Sequence, residues 1–228
     1  MVNRQVSRSL AFLFMTLVYV EPAWSASEGA SNTSYGQSAL ASITTGTQNT
    51  GVGVSVLTAT TSGSKNTAIG FTAMNANTTG DENVAVGTRS LYANTTGSNN
   101  TATGVGTLFS NTSGSYNTAF GSGGLYSNTT GNLNTAIGEG SLYANTTGSD
   151  NTAVGRSTLF SNTTGVGNIA IGSRALRSNT TGDSNTALGS DALQENTTGI
   201  DNTALGRNSL KSNTTGSYNT SVGRSAMY

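Results

Sequence analysis

Residues Asn134-Thr-Ala-Ile-Gly-Glu-Gly-Ser-Leu-Tyr-Ala-Asn-Thr-Thr-Gly-Ser-Asp150 decide the fold, because Asn151 follows and the same pattern begins again. Asn opens a unit at 32, 49, 66, 83, 100, 117, 134, 151, 168, 185, 202 and 219, always 17 residues apart and without insertion. Counting from that Asn, position 5 is Gly in all twelve units, and position 15 is Gly in all eleven that reach it. Position 9 is Leu or Met throughout, and position 4 is apolar in every unit except the one holding Thr103. Self-similarity at a fixed short period is the mark of a solenoid. Glycines at positions 5 and 15, with the Asn-Thr-Thr-Gly block, break any helical period. Thr-Ala-Ile and its variants favour a short strand, and Asn-Thr-Thr-Gly reads as a turn. The expected fold is therefore all-β: a parallel β-solenoid (β-roll) of about twelve 17-residue coils, each built from two short strands and two turns. Twelve coils at ~4.8 Å make a rod of ~55 Å.

An uninterrupted period has a physical cause, since each residue then stacks on its counterpart in the next coil. The position 1 residues Asn66, Asn83, Asn100, Asn117, Asn134 and Asn151 are expected to form an amide ladder. The two constant glycines mark turns that need positive φ or close backbone approach. The charges follow the same register. Lys65 falls over Glu82, Glu139 over Arg156 and Arg174 over Asp191, while Arg207 over Arg224 breaks the pattern. Alternation along a strand places positions 2 and 4 on one face and position 3 on the other. If Ala and Leu fill a thin interior, an aliphatic stripe lies outside: Ile69, Val86, Phe120, Ile137, Val154, Ile171, Leu188 and Leu205. Such a stripe is expected to be covered by identical chains. The competing arrangement puts position 4 inside with Leu, and that version could be monomeric.

The composition excludes much chemistry. Of 228 residues none is Cys or His, one is Pro, 30 are Gly and 9% are charged, ten basic against ten acidic. Disulfides, thiolate metal sites, thiol nucleophiles and histidine bases are all absent. No basic run offers a footprint for nucleic acid. Solenoid enzymes that cleave polysaccharides need two carboxylates ~5–9.5 Å apart. Asp150 and Asp201 share position 17 but lie three coils apart, Asp81 and Glu82 sit together in a turn, and Asp183, Asp191 and Glu195 occupy different corners. The expectation is a protein that is not an enzyme and carries no cofactor and no metal. Residues 1–25 differ from the rest: Arg4 and Arg8 precede an apolar run from Leu10 to Val20, and small residues follow at Ala23 and Ser25. That is a signal peptide, and its run is too short to span a bilayer. Residues 26–65 read as a leader with irregular capping coils, where Ile43 and Thr60 replace the second Asn, and 66–228 as the regular solenoid, its last coil incomplete. The expected location is secreted, extracellular or at the cell surface, with no transmembrane segment in the mature chain.

The units Asn83-Val-Ala-Val-Gly87, Asn134-Thr-Ala-Ile-Gly138 and Asn168-Ile-Ala-Ile-Gly172 resemble the head repeats of YadA-like trimeric autotransporter adhesins. The resemblance covers about 197 residues, and similar arrays also look like parts of trimeric phage-type fibres. It implies a left-handed parallel β-roll, three chains around one axis, and the aliphatic strand facing the trimer core. The repeat here is longer by the Asn-Thr-Thr-Gly turn, and neither a heptad stalk nor a C-terminal membrane β-barrel segment is read. A released fibre, a fragment or a unit that stacks end to end all fit that pattern.

The expected role is structural or adhesive, a rigid rod acting in fibre formation or surface attachment. Its expected partners are identical chains, as a homotrimer or an end-to-end polymer, together with a surface glycan or matrix protein. At position 10, Tyr92, Phe109, Tyr126, Tyr143 and Phe160 fall in five successive coils. This row is a stacking platform for a ligand, or it covers the Leu ladder and pads a subunit interface. A head-to-tail extracellular filament is the first alternative. The second is ice binding by Thr files at positions 2, 13 and 14, against which stands the aliphatic position 4. Asn-Thr-Thr and Asn-Thr-Ser also match the N-glycosylation sequon in nine coils, from Asn77 to Asn213.

Overall fold

A computed structural model describes residues 31–227, and the signal peptide expected at 1–25 lies outside them. Twelve three-residue strands follow one another from β1 (Thr33–Tyr35) to β12 (Thr220–Val222), and no helix occurs among the described residues. The strands form one parallel sheet in sequence order. In its middle, β7 (Thr135–Ile137) pairs with β8 (Thr152–Val154), Thr135 opposite Thr152 and Ala136 opposite Ala153. The same offset of 17 residues holds for every pair, so the chain is a parallel β-solenoid of 17-residue coils.

Each coil carries one strand rather than the two expected. The strand stops at position 5, where Gly138 has φ 125°. The chain then turns through further left-handed residues at positions 7, 9 and 17, among them Leu142 at φ 51° and Asp150 at φ 59°. Strand backbone needs negative φ, so the far side of the coil cannot be regular β. It is still laddered to its neighbours. Leu142 donates its N–H to the Thr158 carbonyl (3.0 Å), Ala144 to Phe160 (3.0 Å) and Thr146 to Thr163 (2.9 Å). A left-handed Leu is costly in isolation. Here the cost is offset because the bend aims the side chain inward, where Leu91, Leu108, Leu125, Leu142, Leu159, Leu176 and Leu193 are fully buried.

The interior is thin and half polar. Ala136, Ala153 and the other position 3 alanines are fully buried beside the Leu file, and the position 4 residues point out. That settles the two arrangements of the strand in favour of Ala inside. Two asparagine files complete the core. At position 1, Asn134 Nδ2 donates to Asn117 Oδ1 (3.1 Å) and to the Gly148 carbonyl (2.9 Å). The backbone N–H of Asn134 donates to the same Asn117 Oδ1 (3.1 Å). At position 12, Asn145 Nδ2 donates to Asn128 Oδ1 (2.8 Å) and again to the Gly148 carbonyl (2.9 Å). One glycine carbonyl per coil thus accepts from both files. Position 15 needs glycine for space: a Cβ on Gly148 would stand 2.5 Å from Asn145 Oδ1 and 2.5 Å from the Gly165 carbonyl oxygen.

Candidate functional site

The residues singled out from the sequence fall in the interior of the rod and on two of its outer surfaces. The six ladder asparagines, Asn66 to Asn151, lie inside and are fully buried. Asn-Thr-Thr-Gly, read as turn chemistry, hides the second file, which starts at Asn77 because Thr60 stands below it with its hydroxyl buried and unpaired. In the coils from Asn94 to Asn196 both amide hydrogens of the sequon asparagine are engaged, so the folded rod presents no acceptor nitrogen for a glycan there.

The aliphatic stripe stands on the outer face of the sheet. Ile69 (41% exposed), Phe120, Ile137, Ile171, Leu188 and Leu205 are exposed, and Val86 and Val154 are half-buried. Because the strands are in register, the residues form one file along the rod, interrupted only where Thr103 replaces an aliphatic residue.

The aromatic row lies outside the strands, beside positions 6 and 7, and is half-buried. Consecutive ring centroids are 5.2, 4.9, 5.0 and 5.1 Å apart, with interplanar angles of 6–8°. The coil rise sets this spacing. Ring faces are therefore turned to one another, and the Arg177 guanidinium covers the last face at 5.6 Å from the Phe160 centroid. What the inner rings offer outward is their edges.

A feature not singled out from the sequence lies beside them. Position 7 is Gly in three successive coils, Gly106, Gly123 and Gly140, and a Cβ there would meet the rings of Tyr126 (3.3 Å), Tyr143 (3.4 Å) and Phe160 (3.4 Å) one coil on. The result is a groove of about 300 Å³ lined by Arg89, Val105, Gly106, Phe109, Ser122, Gly123, Tyr126 and Tyr143. The signal was present in the sequence: this run of Gly occurs only where the aromatic row does.

Of the three expected charge contacts, two form. Lys65 Nζ is 2.7 Å from Glu82 Oε1, and Arg174 Nε is in charge contact with Asp191 Oδ1 at 2.8 Å while the hydrogen bond of the pair runs from Nη2 to Oδ2 at 3.1 Å. Glu139 and Arg156 stack in register without an ion pair. The hydrogen bond from Lys65 to Glu82 holds the ammonium pKa above its ordinary value. Whatever stability that exposed pair contributes is fully present below the ordinary lysine pKa and is lost as pH rises through the raised one. Among the described residues no group of three or more acids is placed to hold a metal ion. No helix among them is long and apolar enough to cross a membrane. The threonine files differ in chemistry. Position 13 hydroxyls are turned inward along the rod, as when Thr146 Oγ1 donates to the Thr163 carbonyl (3.0 Å), and position 14 residues such as Thr147 are exposed.

The fold and its surfaces define a class, a parallel β-solenoid repeat protein compatible with a structural role. Beyond that class, no protein-family model, curated protein or solved structure matches the chain.

Proposed function

We propose that this chain is a secreted or surface-exposed, non-catalytic structural rod that assembles with copies of itself and serves attachment. The observation that carries the reading is the exposed aliphatic file at position 4. Six large apolar residues stand at about 40% exposure along one line, whereas the other exposed large apolar residues, such as Phe71, Val105, Tyr116 and Leu133, are scattered over several positions of the coil and make no file of that length. An apolar line of that length marks an interaction surface. Its period is that of the chain itself, so a second copy meets it in step from end to end, whereas a partner without the period matches at single points. The likeness of Asn134-Thr-Ala-Ile-Gly138 and its counterparts to YadA-like adhesin head repeats supports three copies with these files turned inward. The apolar segment between Arg8 and Ser25 supports export.

The mass of the purified protein by multi-angle light scattering tests the assembly. A trimer is expected. In the double variant Ile137→Thr, Leu188→Thr the mass should fall to that of one chain with the circular dichroism unchanged, because Thr103 already occupies this strand position and Thr suits a strand. A wild-type monomer at every concentration would overturn the assembly.

A further inference from the structure

We propose that the glycine-floored groove beside the aromatic row binds a linear, carboxylate-bearing polysaccharide lying along the rod axis; this deepens the attachment reading above and rests on it. The backbone does not explain the glycines. Position 7 is left-handed in every coil, with φ of 63°, 66° and 62° at Gly106, Gly123 and Gly140, but also 53° at Ser157, 59° at Arg174 and 57° at Asn208. Side chains are accepted at that angle elsewhere in the rod. What Gly106 and Gly123 do is leave a trough of about 300 Å³ against the rings.

The walls of the trough select its occupant. Aromatic edges are the positive part of the ring quadrupole, and they suit oxygen atoms rather than another π-face. Tyr126 and Tyr143 add phenol hydroxyls that both donate and accept. Stacking of nucleic-acid bases needs ring faces, and here each face is occupied by its neighbour. The charge on the strip is one-sided although the whole chain is neutral. Over the six coils 83–184, positions 6, 7 and 10 carry Arg89, Arg156, Arg174 and Arg177 against Glu139 alone. Arg174 is paired with Asp191, and Arg89, at one end of the trough, makes no ion pair among the described residues. From Arg89 to Arg177 is five coils, ~24 Å. Cations this sparse, with hydroxyl-binding surface between them, match a chain of sugars carrying carboxylates at intervals. A polyphosphate backbone with a charge at every step calls for a denser basic run.

The test is titration of the purified protein with a partly methyl-esterified oligogalacturonate, its free carboxylates spaced along the chain and its length enough to span six coils, with neutral dextran and single-stranded oligothymidylate as comparison ligands. Binding of the oligogalacturonate alone is expected, weakened by salt. Gly123→Ser puts into the groove the residue that Ser157 already carries in the same left-handed region (φ 53° against 66°), so it keeps the fold; it should weaken binding by at least about tenfold, as should Arg89→Gln. Equal binding of dextran or of the oligonucleotide, undiminished binding by both variants, or no binding of the oligogalacturonate would each overturn the proposal. Light scattering on the same samples keeps the two readings apart. An intact trimer that ignores the oligogalacturonate sinks the groove and leaves the rod, and a mass that changes in Gly123→Ser assigns the groove to a subunit contact instead.

Discussion

A single asparagine side chain here does four things at once. Asn134 Nδ2 donates to Asn117 Oδ1 and to the Gly148 carbonyl, while its Oδ1 accepts from the backbone N–H and the Nδ2 of Asn151. Every donor and acceptor is fully buried, so a missing partner costs the desolvation of the group left behind, about 1–3 kcal/mol each. Asn134→Asp separates the roles, because it keeps the acceptor and loses the donor. Its carboxyl would face the Gly148 carbonyl and Asn117 Oδ1, both acceptors, in a buried site. Burial and these neighbours favour the neutral acid and raise its pKa in the folded state. The folded variant then holds a proton that the unfolded chain releases near pH ~3.9. Its stability is fully present below that pH and falls as pH rises toward the raised value. Urea titrations should place the variant about 3 kcal/mol below the parent at pH ~7, with most of the loss recovered at pH ~4. A loss independent of pH would show that the carboxyl is solvated and the ladder open. Sequence alone exposes the position 1 file, because nothing else explains an unbroken Asn period. It conceals the position 12 file, since Asn-Thr-Thr-Gly satisfies turn chemistry equally well and only the packing shows both asparagines converging on one carbonyl.

The element is the coil, and its one strand is ended by a glycine with two constraints. Gly138 has φ 125°, a region closed to side chains, and a Cβ on it would stand 2.6 Å from the Gly155 carbonyl oxygen. Gly123, at position 7, has a φ that other residues adopt and only a ring at 3.4 Å to meet. Gly138→Ala should therefore destabilise by about 3 kcal/mol or more, the combined cost of strain and displaced backbone. Gly123→Ser should cost under about 1 kcal/mol. Denaturation midpoints measured side by side decide it, and equal losses would mean that the coil spacing relaxes around an added Cβ. The two constant glycines are visible in the sequence, but their reasons differ: position 5 answers to φ as well as space, and position 15 to space alone. The single strand was hidden because left-handed leucines such as Leu142 are set by stacking between coils, and no local propensity announces them.

At the scale of the rod, each coil touches only the coils beside it, so stability is close to a sum of coil and contact contributions. Removing residues 134–150 as a block joins Leu133 to Asn151 and restores the register of every ladder. That deletion should leave a folded rod shorter by ~4.8 Å in small-angle scattering, whereas deleting Asn134 alone shifts all later ladders and should split the rod or abolish it. Survival of the single deletion with unchanged cooperativity would mean that register is not what holds the coils together. The period alone made the architecture legible. What each outer face meets was not legible, because a solvent-facing file obeys the same spacing whether it is covered or bare. The two asparagine files have a further consequence. In both, the amide N–H groups point toward the earlier coil, so ten or so side-chain dipoles per file, each ~3.5 D as for a peptide group, add head to tail. The threonine hydroxyl file runs the opposite way with smaller dipoles. The backbone N–H groups at positions 2, 9, 11, 13 and 14, such as those of Thr135, Leu142 and Ala144, also face the later coil and run against the asparagine files, so what the files confer is a direction of hydrogen bonding: a coil stacked on either end continues them only if it runs the same way round.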